Sequence, residues 1–295
     1  MTKEELINKI HLGTWESIMP EIPDNFVDIV ITSPPYNVSL GIGNKHKKDK
    51  YDTYDDNMPY EDYLDWMTKL FIECNRVLKN GGRICINIGD GANGSVPTHA
   101  DFTYRMLHLF GNDEDEGFAD LRNYGQKEVD AMADFKMMTT VVWDKKQIGA
   151  STAWGSYQSP SCPSFPTQFE FIIVMAKGTT KHEGDKDKIT VSGKEFQRNS
   201  RALWSFPPET RMMELYGHPA CFPEELPKRL LQQLTYEDDI VLDPFSGAGT
   251  TCTVAKKLKR KYIGIEMSQK YYDKSLIRLG KTPEMADVKT PSWMS

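Results

Sequence analysis

Val27 and the run Ile29-Val30-Ile31 form a short, continuously apolar stretch that ends at Ser33-Pro34-Pro35-Tyr36. A run of this length without alternation suits a strand covered on both faces, as in a parallel sheet. Pro34 and Pro35 forbid its continuation, because neither can donate to a ladder and each biases the preceding residue away from helix. The carbonyls of Ser33 and Pro34 are thereby left to accept hydrogen bonds.

Gly41-Ile42-Gly43 and a lysine-rich stretch then read as a loop. Asn57-Met58-Pro59 marks a helix start, Tyr63, Met67, Leu70, Cys74 and Val77 recur at helical spacing, and Gly81-Gly82 is the expected stop. Ile84, Ile86 and Ile88 alternate with Cys85 and Asn87, which predicts a strand ending at Gly89-Asp90-Gly91. Strand, loop, helix, strand is the pattern of a βαβ unit. At its first turn, a hydroxyl, two prolines and an aromatic ring converge, a combination that can hold a planar, amino-bearing ring such as a nucleobase.

Further along, Thr139 to Trp143 and Phe169 to Met175 read as strands. Between them, residues 149–163 are rich in glycine, serine and proline, with Trp154 and Tyr157 interleaved, a loop with aromatic faces on offer. Residues 99–136, including the acidic patch 112–116, read as a surface insertion. Residues 178–199 are polar and lysine-rich, the composition of a flexible or recognition segment.

A second motif lies near the end of the chain. The apolar strand Ile240 to Leu242 runs into Asp243-Pro-Phe-Ser-Gly-Ala-Gly-Thr-Thr251, and a helix follows through Val254, Ala255 and Leu258. In doubly wound folds such a glycine-rich turn lets the backbone approach a nucleotide-like ligand at the carboxyl ends of the strands. Lys261 to Glu266 is the next strand, and Glu266 at its tip, 23 residues after Asp243, is placed to accept from ribose hydroxyls. The turn lacks a full dinucleotide pattern and a phosphate loop. Asp243 would repel a pyrophosphate, so a sulfonium nucleoside fits better than a phosphorylated one.

Composition narrows the class. With 39% hydrophobic and 26% charged residues over 295, the chain is an ordinary globular protein of one large α/β domain or two modest ones. No apolar run approaches the roughly 18 to 20 residues of a membrane span, and the N-terminus lacks a secretory core, so a cytoplasmic protein with no membrane partner is expected. The five cysteines are scattered singly, without zinc or redox spacing, and no metal is expected. A net charge of −6 argues against coating nucleic acid by global attraction and leaves room for a local basic cleft.

Asp243 to Thr251 together with Thr32-Ser-Pro-Pro-Tyr36 closely resembles the S-adenosylmethionine-dependent DNA amino-methyltransferases. The order, catalytic tetrapeptide first and cofactor loop last, is similar to their circularly permuted beta group. Gly149 to Pro163, Glu170 to Lys177, Trp204-Ser-Phe-Pro-Pro and His218 to Leu226 match in between, so the resemblance spans most of residues 11–279. It implies an α/β fold with a seven-stranded, mostly parallel, doubly wound sheet and a small target-recognition insertion. The implied division is a catalytic half, 1–177, a recognition segment, 178–211, a cofactor half, 212–280, and a tail, 281–295.

The implied catalytic residues are Ser33, Pro34, Pro35 and Tyr36. Those for S-adenosylmethionine are Thr14, Phe222, Asp243, Pro244, Phe245, Ser246, Gly247, Ala248, Gly249, Thr250 and Glu266, and for DNA Lys45, Lys47, Lys48, Trp154, Arg198 and Arg201. Relatives often carry Gly-Asp near the adenine where this chain has Gly13-Thr14.

The partner implied is double-stranded DNA; whether a cognate restriction endonuclease accompanies the protein is left open by the sequence. Ser33 and the Pro34 carbonyl would hold the amine of a flipped base and Tyr36 would stack on it. Members with serine in the tetrapeptide mostly act on cytosine N4 and those with aspartate on adenine N6, so cytosine N4 is expected and adenine N6 is the alternative. Transfer to RNA or to a protein glutamine, and a DNA-binding protein without catalysis, are the other readings.

Overall fold

The computed structural model describes residues 1–37, 53, 56–91, 96–112, 115–146, 155–163, 165, 167–209 and 221–281. Its main sheet has eight strands: β1 (Lys9–Leu12), β2 (Val27–Thr32), β3 (Leu78–Ile88), β4 (Phe135–Asp144), β5 (Phe169–Lys177), β6 (Leu203–Ser205), β7 (Ile240–Asp243) and β8 (Lys261–Glu266). Their order is β1-β8-β7-β2-β3-β5-β4-β6. Only the β3–β5 and β5–β4 pairings are antiparallel, so seven strands point one way and β5 runs against them. The sheet has one strand more than the resemblance implied. The short β6 sits at the edge beside β4, and three residues are too few for a periodic signal.

Alternate residues of the central strands feed two separate cores, which is why these strands read as unbroken apolar runs. Val30, Ile84, Ile86, Leu242 and Ile263 face the helices α1 (Tyr60–Val77) and α2 (Thr98–Leu107). Ile29, Ile31, Cys85, Val241 and Tyr262 face α4 (Glu225–Leu234) and α5 (Thr250–Lys257) on the other side. A further helix, α6 (Gln269–Arg278), buries Tyr271 and Leu276.

The helical repeat Tyr63, Met67, Leu70, Cys74, Val77 is fully buried in α1. The helix ends at Val77, before the expected glycine pair, because Leu78 turns to extended backbone and begins β3. The glycines lie instead in an irregularity of β3, where the β2 partner jumps from Leu78 to Arg83. Gly81 takes φ +80 there, and a Cβ on it would collide with the Lys181 carbonyl.

The polar segment after β5 is tied to the body of the fold. Since β5 is antiparallel, Lys177 ends at the edge of the sheet where the parallel strands begin, its ammonium bonded to the Leu78 carbonyl and Asn25 Oδ1. From there His182 reaches Asp239 at 2.8 Å and Lys188 pairs with Asp238. Ser192 and Glu195 form a reciprocal capping box that starts α3 (Gly193–Asn199), a Ser-x-x-Glu signal legible in the sequence. Residues 178–199 thus form a mostly exposed crossover leading to β6, held by these contacts.

Candidate active site

A cavity of about 570 Å³ opens at the carboxyl ends of β2, β3, β7 and β8, where an open α/β sheet receives its ligands. Ser33, Pro34, Pro35 and Tyr36 line one end, and Pro244, Phe245, Ser246, Gly247, Thr250 and Glu266 the other. Thr14 and Phe222 also line it. The two motifs, more than two hundred residues apart in sequence, share one space because β2 and β7 are adjacent and parallel.

At the first end, β2 stops at Thr32 and the prolines splay the chain open. The Pro35 carbonyl turns into the core and accepts from the buried Tyr63 hydroxyl at 2.7 Å, which fixes the loop. Ser33 Oγ donates to the Tyr36 oxygen at 3.2 Å, and the Tyr36 hydroxyl donates to Glu170 Oε2 at 2.9 Å. Asn87 Nδ2 donates to both the Tyr36 oxygen and Glu170 Oε2 at 2.7 Å, and Lys145 Nζ binds Glu170 Oε1 at 2.7 Å. A Cβ at Gly89 would lie 3.0 Å from the Tyr36 ring, so glycine there makes room for it.

Asn87, Glu170 and Lys145 all line the cavity and were given no role from the sequence. Asn87 and Glu170 are polar residues at the cavity ends of the apolar stretches of β3 and β5, and Lys145 follows the last residue of β4; that placement is the signal that could have found them.

At the second end, Gly247 (φ +51) and Gly249 (φ +72) bend the chain from β7 into α5. Glu266 is almost wholly buried and accepts from the Gly247 and Ser268 N–H groups, both at 2.8 Å. Burial, reinforced by the charge of Asp243, pushes its carboxyl up to about 7. A buried carboxylate at a strand tip, held by two backbone donors and facing a cavity, fits the ribose hydroxyls of a nucleoside.

Asp243 also borders the cavity, and its Oδ1 accepts from the Thr32 hydroxyl at 2.8 Å and the Phe245 N–H at 3.1 Å, so it ties the two motifs together. Burial pushes it up to about 6.

An aromatic wall completes this end. The Trp66 ring packs edge-on against Phe245 at 5.6 Å, beside Trp15 at 6.1 Å, and its Nε1 donates to Glu16 Oε1 at 2.7 Å. Trp66 and Glu16 were not anticipated. Thr14 precedes the helical turn Trp15–Ile18 without a side-chain capping bond, and it lines the cavity together with Gly13.

Other expected residues stand apart. Ala248 and Gly249 shape the turn without lining the cavity, and the exposed Arg198 and Arg201 lie outside it, at the end of α3 and before β6. Of the segment 178–211, Pro208 and Glu209 reach the cavity. Lys45, Lys47, Lys48 and Trp154 lie outside the described residues. Among the described residues, Asp28, His182 and Asp239 bring metal-ligating atoms together, but Lys79 and the His182–Asp239 bond already engage them at the opposite edge of the sheet. No helix among the described residues is long and apolar enough to cross a membrane.

Comparison with known proteins agrees with this geometry. Residues 27–277 match the DNA methylase family that groups the N6 and N4 amino-methyltransferases. The chain is 32% identical over 273 residues to the Type II methyltransferase M.BglII of Bacillus subtilis, covering 90% of this chain and 67% of that one. It is 27% identical over 286 residues to the DNA adenine methyltransferase YhdJ of Escherichia coli K12, covering 92% and 84%. Among solved structures, it is similar to a protein described as a DNA modification methylase from Thermus thermophilus, complexed with S-adenosyl-L-methionine, with a TM-score of 0.63 at 24% identity over 92% and 94% of the two chains. It is also similar to the PvuII DNA methyltransferase, cytosine-N4-specific, with a TM-score of 0.62 at 20% identity over 95% and 87%. With the family match covering most of the chain and both sequence motifs lining one cavity, this protein belongs to the N6/N4 DNA methylase family and is a DNA methyltransferase that takes its methyl group from S-adenosylmethionine.

Proposed function

We propose that the protein methylates the exocyclic N4 of a cytosine flipped out of duplex DNA at a specific site. The observation that carries this is Ser33 at the tip of β2, its hydroxyl proton directed at Tyr36 and its oxygen bordering the cavity. Held in that way, Ser33 Oγ is an acceptor for an amino N–H, and the Pro34 carbonyl is the second. Two acceptors fix the amine so that its lone pair faces the cofactor end, which is catalysis by positioning. Tyr36 offers its ring to the base and is kept in plane by Asn87 and Glu170.

S-adenosylmethionine, when bound, supplies an electrophilic sulfonium methyl. Glu266 would hold its ribose hydroxyls, and Phe245 and Trp66 would flank its adenine. Phe222 would wall the methionine end.

One observation favours a second reading, adenine N6: the similarity to an adenine methyltransferase over nearly the whole chain. Nucleoside analysis of duplex DNA methylated by the purified protein decides between them. N4-methylcytosine supports the first reading, and N6-methyladenine replaces it with the second.

The order of motifs supports assignment to the permuted beta group, and the similarity to a Type II methyltransferase supports a companion restriction endonuclease and a cytoplasmic site of action. For DNA we propose Lys45, Lys47, Lys48, Trp154, Arg198 and Arg201 as contacts. Recognition falls to residues 178–211 between the catalytic half, 1–177, and the cofactor half, 212–280.

A further inference from the structure

Ser33, Tyr36 and Glu170 form a directed chain of hydrogen bonds. Ser33 donates to Tyr36 at 3.2 Å and Tyr36 donates to Glu170 Oε2 at 2.9 Å. The direction is imposed by Asn87: its amide donates to the phenol oxygen at 2.7 Å, so the phenol's own proton is left for the carboxylate. Lys145, on the other carboxylate oxygen at 2.7 Å, holds the Glu170 side chain in place. The group is mostly sheltered, with Glu170 and Lys145 only 13% and 20% exposed, and every member lines the cavity.

Amino methylation produces a proton that must leave. We propose that Glu170 receives it, through the hydroxyls of Tyr36 and Ser33, as the methyl group arrives. This rests on the amino-methyltransferase reading of the site. The lone pair of the exocyclic nitrogen forms the new N–C bond while the C–S pair returns to sulfur, which becomes a neutral thioether. The nitrogen, now positively charged, gives an N–H proton to Ser33 Oγ. Ser33 passes its own proton to the Tyr36 oxygen, and Tyr36 passes its own to Glu170 Oε2.

The products are a neutral methylamine and a protonated Glu170, which returns its proton to water when the site opens. A carboxylate paired with lysine is a weak base, and it suffices because an aminium on an electron-poor ring is a strong acid. Glu170 is thus a positioning and proton-accepting residue that acts through Tyr36 without touching the base.

The test is single-turnover transfer from labelled S-adenosylmethionine to plasmid DNA prepared from a strain without amino-methylation. Glu170→Gln keeps an acceptor for the Tyr36 hydroxyl and removes the proton acceptor. Its rate is expected to fall by at least about 100-fold, the scale of lost acid–base assistance, with cofactor and DNA dissociation constants unchanged. Tyr36→Phe should fall to a similar rate, and the double variant no further. In Glu170→Ala, added formate should restore transfer in proportion to its concentration, which a purely structural role would not allow.

A Glu170→Gln rate equal to the parent's, or a Glu170→Ala variant that formate leaves unmoved, overturns the proposal. Failure of the parent protein itself to transfer methyl groups to DNA would instead overturn the reading of the site on which it rests.

Discussion

The hydroxyl of Thr32 donates to Oδ1 of Asp243 at 2.8 Å, in a fully buried position between two parallel neighbours, β2 and β7. One bond thereby couples the last residue of β2 to the last residue of β7, where the two motifs that line the cavity begin.

Thr32→Val keeps the shape and removes the donor. Asp243 then loses one of its partners in a site that burial already makes hostile to charge. We expect a loss of about 1–3 kcal/mol in denaturant unfolding, together with weaker binding of S-adenosylmethionine measured by calorimetry. Unchanged stability and affinity would show that the bond couples nothing.

Ser33→Ala removes an acceptor at the amine without disturbing the cofactor end. Transfer to DNA should drop by at least about 100-fold, while the dissociation constant for S-adenosylmethionine stays within a factor of two. A variant as fast as the parent would exclude Ser33 from the site.

Gly89→Ala places a methyl group 3.0 Å from the Tyr36 ring. The ring must shift by a few tenths of an ångström, and its bonds to Asn87 and Glu170 shift with it. Methyl transfer should slow by about 10- to 100-fold, with cofactor affinity and overall stability near the parent's. A crystal structure of the variant should show the displaced ring, and an undisturbed ring with a normal rate would refute the argument.

Glu266 sets a pH dependence. In the ligand-free protein, burial raises its carboxyl to about 7, so the folded state holds this proton more tightly than the unfolded chain. The stability it contributes is present below the ordinary carboxylate range and is lost as pH rises through about 7. A ligand whose hydroxyls donate to the carboxylate reverses the sign, because it binds the ionised form. Affinity for S-adenosylmethionine should therefore fall by up to about tenfold per pH unit below 7 and level off above it. Titration calorimetry from pH 5.5 to 8.5 checks this, and Glu266→Gln should bind about 10- to 100-fold more weakly at pH 8 with that slope gone.

Much of the scaffold was legible because it is local. The doubly covered strands β2 and β7 announce themselves as apolar runs, α1 by its helical repeat, and the turn from β7 to α5 by its glycines, since each signal lies within about a dozen residues. The edge strand β6 and the crossover through α3 were not read from composition. Three residues carry no period, and a polar run looks unfolded until its contacts with Asp238 and Asp239 are known.

The candidate site divides in the same way. By itself the sequence determined the backbone-defined parts: the Ser33-Pro34-Pro35-Tyr36 turn, the Gly247–Gly249 bend and Glu266 at a strand tip, all dictated by prolines, glycines and strand ends. Only the tertiary structure decided that Asp243 is bonded to Thr32, and that Asn87, Lys145 and Glu170 gather near the Tyr36 hydroxyl. Those residues come from β3, β5 and the residue after β4, and a hydrogen bond between side chains far apart in sequence has no local signature. It exists only because the register of the sheet, set by burying two apolar faces at once, brings their tips to one end.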